Sequence, residues 1–181
     1  LHKAIRRQRQ MCIRDSICTS PFPYDGIFRR AVLNFKFHNC GAYAELLSHE
    51  MVRSIKDVYR DRKFDLVTCV PMHKDTLRER GYNQAELLAK ECARLLGIEY
   101  ADLLAKTKKN KTQHSIKAAE RAKNVIGVYS PIDKNLIKGK RILIIDDIIT
   151  TGSTLGECAR ILNKCKCGEI CCCTLCTSLL I

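Results

Sequence analysis

Apolar residues recur along the chain with two periods, one typical of helices and one typical of buried strands. Helical spacing predicts four helices, near residues 26–37, 42–60, 83–96 and 153–164. Short apolar runs predict strands near residues 64–70, 101–106, 141–146 and 168–176. All of residues 142–145 are apolar, which favours a strand buried on both faces, as in a parallel sheet. The pattern predicts one α/β domain with a mostly parallel sheet flanked by helices.

Two carboxylates and a loop of small residues follow the predicted strand at 141–146. Asp146 and Asp147 are expected to end this strand and to accept hydrogen bonds from vicinal sugar hydroxyls. The loop residues are Thr150, Thr151, Gly152, Ser153 and Thr154. Ser153 or Thr154 opens the next helix, so backbone N–H groups converge on one point that suits a phosphate. The segment predicts a sugar-phosphate site, and a plain strand, turn and helix with two solvated acids is the alternative.

Three cations follow the predicted strand at 64–70. Lys74, Arg78 and Arg80 are expected on a loop at the strand's carboxyl end, where they would grip a pyrophosphate through charge-assisted hydrogen bonds. Arginine suits this task because its planar fork donates two hydrogen bonds at once. A solvated loop that begins the helix capped by Asn83 is the alternative interpretation.

Three ordered motifs are similar to those of the ComF family, whose members carry a type I phosphoribosyltransferase-like domain. The first motif runs from Arg78 to Gln84, and the third from Asp146 to Thr154. The second motif contains Thr112, Gln113, Ile116, Arg121 and Asn124, with isoleucine at a position where leucine is usual. The resemblance covers roughly residues 20 to 181, and a chance match of three ordered motifs is improbable.

The resemblance implies a type I phosphoribosyltransferase-like fold with a flexible hood over about residues 106–124. It implies that Asp146 and Asp147 hold the ribose hydroxyls of phosphoribosyl pyrophosphate (PRPP), while residues 150–154 wrap the 5′-phosphate. Arg78 and Arg80, together with Mg²⁺ carried by PRPP, would stabilise the pyrophosphate. The other expected substrate-binding residues are Lys74, Gln113, Arg121 and Asn124. We expect no metal held by the protein's own ligands.

Two functions follow from this resemblance. One is an enzyme that transfers the phosphoribosyl group of Mg-PRPP, or of a related ribose phosphate, and releases pyrophosphate. Thr150 stands where purine-salvage relatives place a carboxylate base, which disfavours transfer to a purine. The other is a non-catalytic accessory protein for DNA uptake in natural competence, which binds a nucleotide or single-stranded DNA and has a competence helicase among its partners. A shared fold does not decide between them.

Composition narrows the class of partner. The 181 residues carry a formal charge of +13, which suits phosphate-rich ligands and nucleic acid alike. Aromatic residues make up only 6% of the chain and tryptophan is absent, so a surface for stacking single-stranded bases is not evident. No apolar run approaches the roughly 20 residues that span a bilayer. We therefore expect a cytoplasmic protein without membrane insertion.

Cysteine usage and the N-terminus complete the sequence picture. Among the twelve cysteines, Cys69 and Cys92 fall at apolar pattern positions and are expected to be buried thiols. The dense group between residues 165 and 176 is expected to be structural, with a metal or redox site as the alternative. Residues 1–16 lack the paired C-x-x-C units of the ComF zinc module, so we expect a non-native or disordered leader before a domain at 17–181.

Overall fold

A mostly parallel sheet is the centre of the computed structural model, which describes residues 9–13, 16–37, 41–108 and 125–179. The strands are β1 (Arg9–Ile13), β2 (Ser16–Ser20), β3 (Phe22–Pro23), β4 (Leu66–Cys69), β5 (Glu99–Tyr100), β6 (Leu104–Lys106), β7 (Tyr129–Pro131), β8 (Arg141–Ile149) and β9 (Glu169–Thr177). The helices are α1 (Gly26–Phe37), α2 (Gly41–Val58), α3 (Lys74–Arg80), α4 (Gln84–Leu96), α5 (Lys134–Ile137) and α6 (Ser153–Lys164).

The main sheet has the order β1-β2-β9-β8-β4-β5, and β3 also pairs with β9. Neighbouring strands are parallel except for the antiparallel pair of β1 and β2. A separate antiparallel pair, β6 and β7, flanks the segment predicted to be the hood. The predicted α/β architecture with a mostly parallel sheet is confirmed, as are the predicted helices near α1, α2, α4 and α6.

Strand β8 lies between β9 and β4 and separates two hydrophobic clusters. Leu143 and Ile145 pack into the cluster that contains residues of α2 and α4, whereas Ile142 and Ile144 pack into the cluster with α6. All four side chains are fully buried, as the continuous apolar run predicted. Each such side chain contributes about 1.5–3 kcal/mol of burial free energy. β8 is therefore a rigid support for the residues that follow it.

The structure corrects the prediction that Asp146 and Asp147 end this strand. β8 continues to Ile149, and the ladder with β9 pairs Ile148 with Cys176 and Ile149 with Thr177. The two apolar residues after the carboxylates supply this extension, because their pairing with β9 satisfies backbone groups that would otherwise be left open. The carboxylates thus lie within the strand near its carboxyl end.

The expected loop with Lys74, Arg78 and Arg80 is also corrected, since these residues form helix α3. The His73 side chain caps its start by accepting a hydrogen bond from the Asp75 backbone N–H at 3.3 Å. Gly81 ends it with φ of 87°, and its N–H donates to the Leu77 carbonyl at 2.7 Å. A left-handed residue at this position favours glycine. The caps at both ends therefore define the helix.

Part of the expected leader forms a strand. Residues 9–13 form β1, which pairs with β2 in antiparallel register from Arg9 opposite Ser20 to Ile13 opposite Ser16. On its other side β2 pairs with β9, so without β1 the backbone of β2 would be an open sheet edge. The disorder expected of the leader as a whole stays a prediction. The domain boundary at residue 17 and the foreign origin of the leader stay predictions.

Candidate functional site

A cavity of about 420 Å³ lies at the carboxyl edge of the sheet, where β4 and β8 end. We call it the carboxyl-edge cavity. Four groups of residues line it: residues 70–73 after β4, residues 83–85 at the start of α4, residues 146–148 of β8, and Thr150 with Thr154 beside α6. Tyr24, Thr76, Arg80, Lys106 and Tyr129 complete the wall. Open α/β sheets bind ligands at this edge, so its position agrees with the sequence prediction.

Asp146 and Asp147 both line the cavity. Successive residues of a strand face opposite sides, so Asp146 shares the face of Ile142 and Ile144, and Asp147 shares that of Leu143 and Ile145. The backbone N–H of Asp147 donates to Oδ1 of Asp146 at 2.9 Å. The pair therefore presents carboxylate oxygens from two sides of the strand to one cavity.

The small-residue loop leads into α6. Gly152 adopts φ of 73° at the N-cap of this twelve-residue helix, and its carbonyl accepts the Gly156 N–H at 2.8 Å. The hydroxyls of Thr151 and Ser153 are 2.8 Å apart, and Thr150 and Thr154 line the cavity. A helix start with free N–H groups and a positive dipole end is a favourable place for a phosphate. The Ser153 backbone nitrogen lies 3.4 Å from Thr151 Oγ1, and phosphate binding by this loop stays a prediction.

Of the three cations predicted for pyrophosphate, one lines the cavity. Arg80 is half-buried in its wall, and its Nη1 donates to Oε1 of Gln84 at 2.8 Å. Lys74 and Arg78 are exposed on α3 and do not contribute to the lining. Positions 78 and 80 of a helix are separated by about 200° around its axis, so both side chains cannot face the same wall.

Lys106 and Tyr129 form a part of the wall that sequence reasoning did not assign to the site. Lys106 is half-buried at the end of β6, and its Nζ lies 5.7 Å from the centroid of the Tyr129 ring. Burial lowers the pKa of Lys106, and the negative charge of Asp146 partly opposes that shift. Its place in the wall has no local sequence signal, because it depends on the pairing of β6 with β7.

The cap residue Asn83 fixes the segment between β4 and α4. Asn83 is the N-cap of α4, as the sequence predicted, and accepts the Ala85 N–H at 3.1 Å. Its Nδ2 also donates to the Val70 carbonyl at 3.1 Å. Both Asn83 and Val70 line the cavity, so this hydrogen bond ties two sides of the wall together.

Three predicted substrate-binding residues, Gln113, Arg121 and Asn124, lie outside the described residues. The backbone at Gly127, which follows the predicted hood segment, is anchored to α6. Buried Glu157 accepts the Gly127 N–H at 2.9 Å and pairs with Arg160 at 2.6 Å. The helix that begins at the anion loop therefore also holds the backbone just after the hood.

The cysteines of the described part are free thiols. Cys69 and Cys92 are buried, as predicted, and burial raises the pKa of each to about 12. On β9, Cys171 and Cys173 pack into one cluster while Cys172 packs into the other, so their thiols point to opposite faces. Within the described residues, no group of three or more His, Cys, Asp or Glu side chains is placed to hold a metal ion.

The donor set of the cavity suits Mg²⁺ only when a ligand supplies further oxygens. Mg²⁺ in phosphate sites is usually held by one or two carboxylates together with substrate phosphates and water. Asp146 and Asp147 are two such carboxylates on the wall.

No helix of the described residues is both long and apolar enough to cross a membrane.

Comparison with known proteins agrees with this geometry. The phosphoribosyl transferase domain profile matches residues 83–179, which contain α4, β8 and the loop before α6. Competence protein ComFC of Bacillus subtilis is 32% identical over 163 residues, covering 87% of this chain and 65% of that protein. The DNA utilization protein YhgH of Escherichia coli is 30% identical over 101 residues, covering 55% of this chain and 44% of that protein.

A solved structure, the glutamine PRPP amidotransferase of B. subtilis, is 22% identical and covers 71% of this chain and 25% of that chain, with a TM-score of 0.47. The chain spans less than two thirds of the length of the two curated relatives above. The profile match covers more than half of the chain and includes the sheet edge with the cavity. The chain belongs to the phosphoribosyl transferase domain family, as a ComF-type member with the type I fold.

Proposed function

We propose that the carboxyl-edge cavity binds PRPP or a related ribose phosphate together with Mg²⁺, and that this binding serves DNA uptake or use. The observation that carries the proposal is the convergence of paired carboxylates, the start of helix α6 and two cations on one cavity. The carboxylates suit ribose hydroxyls, and the helix start suits a terminal phosphate.

The cations account for the rest of such a ligand. Arg80 and Lys106 lie on the wall that also carries Asp146 and Asp147, and a pyrophosphate needs charge-assisted hydrogen bonds of this kind. Asp146 and Asp147 would hold Mg²⁺ brought with the phosphates, and the ion would supply positive charge that two cations alone do not.

The role in DNA uptake draws on two observations outside the cavity. The relatives are named competence protein and DNA utilization protein. The chain also carries a formal charge of +13, which favours association with a polyanion. Since fold alone does not fix function, this role needs DNA-binding measurements of its own.

A second candidate function is phosphoribosyl transfer. The position of Arg80 and Lys106 favours it, because cations beside a departing pyrophosphate stabilise the charge that develops on it. Pyrophosphate release from Mg-PRPP in a screen of acceptor molecules tests this candidate. Tight PRPP binding without release with any acceptor would instead favour the accessory role.

Isothermal titration with PRPP, with and without Mg²⁺, tests the binding proposal. Asp146→Asn combined with Asp147→Asn is expected to weaken binding more than tenfold. Each charge-assisted hydrogen bond is worth about 1.5–3 kcal/mol, and a tenfold loss needs only about 1.4 kcal/mol.

The matched control is Asp57→Asn with Asp61→Asn, which makes the same charge change at exposed positions outside the cavity. This control should bind PRPP at least as well as the parent chain, because it only removes distant negative charge. Parent-like affinity in a folded Asp146→Asn, Asp147→Asn variant would refute the assignment.

A further inference from the structure

A second cavity, of about 500 Å³, lies at the amino edge of the sheet, opposite the carboxyl-edge cavity. We call it the amino-edge cavity. Its floor is apolar and consists of Ile55, Tyr59, Phe64, Leu96 and Ile98. These residues come from the end of α2, the segment before β4 and the end of α4. None of them belongs to the site proposed for ribose phosphate.

The rim of this cavity is cationic. Its charged lining residues are all basic: Lys56, Arg60, Arg62, Lys63 and Arg141. Arg62 pairs with Glu169, and Arg141 pairs with Asp65 at 2.6 Å. Lys56, Arg60 and Lys63 are exposed on the rim. Asp57 and Asp61 are the carboxylates interspersed among residues 56–63.

The surrounding loops extend the basic surface. The segments 59–65, 138–141 and 164–169 precede β4, β8 and β9, so they meet at the amino edge. Hydrogen bonds join the last two segments, including Gly139 N–H to the Lys166 carbonyl at 2.8 Å. Together the three segments contain eight lysines and arginines and three carboxylates. The cavity therefore lies within a larger positive region.

A rigid aromatic pair stands in the floor. The Tyr59 hydroxyl oxygen lies 2.8 Å from the carbonyl oxygens of Ile17 and Cys172, which share its one proton as acceptors and fix its ring. The Phe64 ring packs against it edge-on, with centroids 5.7 Å apart and planes at 84°. Phe64 is only half-buried and lines the cavity. The low aromatic content of the whole chain gives no sign that one aromatic side chain lies among several cations.

We propose that the amino-edge cavity binds single-stranded nucleic acid, with one base inserted against Phe64 and the flanking phosphates on Lys56, Arg60 and Lys63. A nucleotide joins one flat apolar face to one negative charge, which matches a single apolar cavity surrounded by cations. Proteins that hold single strands without sequence preference combine a basic surface with aromatic platforms in this way. A base paired inside a duplex cannot enter such a cavity.

This inference rests on the proposed role in DNA uptake but not on the ribose-phosphate site, so the two fail separately. The probe is a fluorescein-labelled thymidine oligomer of about 12 nucleotides, within the usual site size of single-strand binders. Anisotropy titrations at several salt concentrations give its affinity and salt dependence. PRPP titrations on the same variants report the carboxyl-edge cavity independently.

Two variants separate the electrostatic contribution to oligomer binding from the stacking contribution. Lys56→Gln with Lys63→Gln should weaken binding of the oligomer and reduce the slope of log affinity against log salt by about 1.4. Phe64→Leu should weaken binding about fivefold or more while leaving that slope unchanged, because it removes a stacking surface and no charge. PRPP affinity and melting temperature should stay at parent values in the first variant.

The charge-matched control is Arg29→Gln with Arg30→Gln on α1, at exposed positions away from this cavity. An equal loss of affinity in this control would overturn the proposal in favour of general electrostatics. Equal affinity for a duplex of the same length, or tighter binding of a poly-glutamate peptide, would also overturn it. Because Phe64→Leu can lower the melting temperature through lost packing, Phe64→Tyr, which keeps the ring, is the second variant. It should retain both the stability and the binding of the parent chain. A Phe64→Tyr variant that is stable but does not bind the oligomer would count against stacking.

Discussion

Lys106 shows how burial and a neighbouring carboxylate together set the pKa of a residue in the cavity wall. Burial beside Tyr129 lowers the pKa of Lys106, and the Asp146 carboxylate keeps that shift smaller than burial alone would make it. The Tyr129 pKa is raised, chiefly by burial and also by Asp146. A phosphate ligand beside Lys106 would add a second negative partner that favours the charged form of the lysine.

We predict that PRPP affinity falls as pH rises through the lowered pKa of Lys106. Above that pKa the lysine is neutral, so the cavity loses a cation, and the decline begins at a lower pH than an ordinary lysine would give. Lys106→Arg should remove the decline, because arginine stays charged throughout this range. Titration calorimetry between about pH 7 and pH 10 measures both curves.

Lys134→Arg on α5 is the control for this experiment, since Lys134 is exposed and outside the cavity lining. It should follow the curve of the parent chain. The pKa values of Tyr129 on the wall and of nearby Cys69 are both raised, so these two groups do not imitate the effect. A decline that persists in Lys106→Arg would assign the pH dependence to a different group.

Helix α3 decides which basic residue of the first motif reaches the cavity. It is seven residues long, none of them buried, and both of its ends are fixed by caps at His73 and Gly81. The helical turn places Arg80 in the wall and leaves Arg78 exposed. Of the two arginines in this motif, one therefore lies at the carboxyl-edge cavity and the other at the exposed surface.

We predict that Arg80→Ala weakens PRPP binding severalfold more than Arg78→Ala does. Each substitution removes one charge, so Arg78→Ala on the same helix is the matched control. The loss for Arg80→Ala should be larger for PRPP and pyrophosphate than for ribose 5-phosphate, since the arginine would bind the pyrophosphate. Calorimetry with the three ligands measures the difference. Equal losses of affinity in both variants would indicate that both arginines act only through general electrostatic attraction.

The sequence predicted the long elements and missed the short ones for a common reason. Helices α1, α2, α4 and α6 and strands β8 and β9 each bury an apolar face or run, which gives a periodic signal. Helix α3 has no buried residue, and β3 and β5 are only two residues long. None of these elements therefore gives a periodic hydrophobic pattern in the sequence. Ile148 and Ile149 followed the carboxylates in the sequence, but their pairing with β9 depends on tertiary structure.

The candidate site was predictable where a local motif carried it. Asp146, Asp147 and the loop residues Thr150 and Thr154 line the cavity, as adjacent positions in one segment can indicate. Lys106 and Tyr129 were not predictable in this way, because β6 and β7 bring them together from more than twenty positions apart. The amino-edge cavity likewise assembles α2, α4 and β8, which no single segment of sequence contains.

On the scale of the whole molecule, one strand connects the two proposed sites. β8 begins at Arg141 on the rim of the amino-edge cavity and reaches Asp146 and Asp147 in the wall of the carboxyl-edge cavity. Six residues of extended strand separate Arg141 from Asp147, which corresponds to about 20 Å. The two edges of the sheet therefore offer separate surfaces to two different phosphate-bearing ligands.

We predict that PRPP and single-stranded DNA bind to the protein at the same time and independently. A separation of about 20 Å along β8 exceeds the Debye length of about 8 Å at physiological ionic strength, so direct repulsion between the ligands is largely screened. Anisotropy titration of the thymidine oligomer should then give the same affinity with and without saturating Mg-PRPP. The Asp146→Asn, Asp147→Asn variant should also keep this affinity while losing PRPP binding. Competition between PRPP and the oligomer would show instead that DNA enters the carboxyl-edge cavity, and the assignment of DNA to the amino edge would fall.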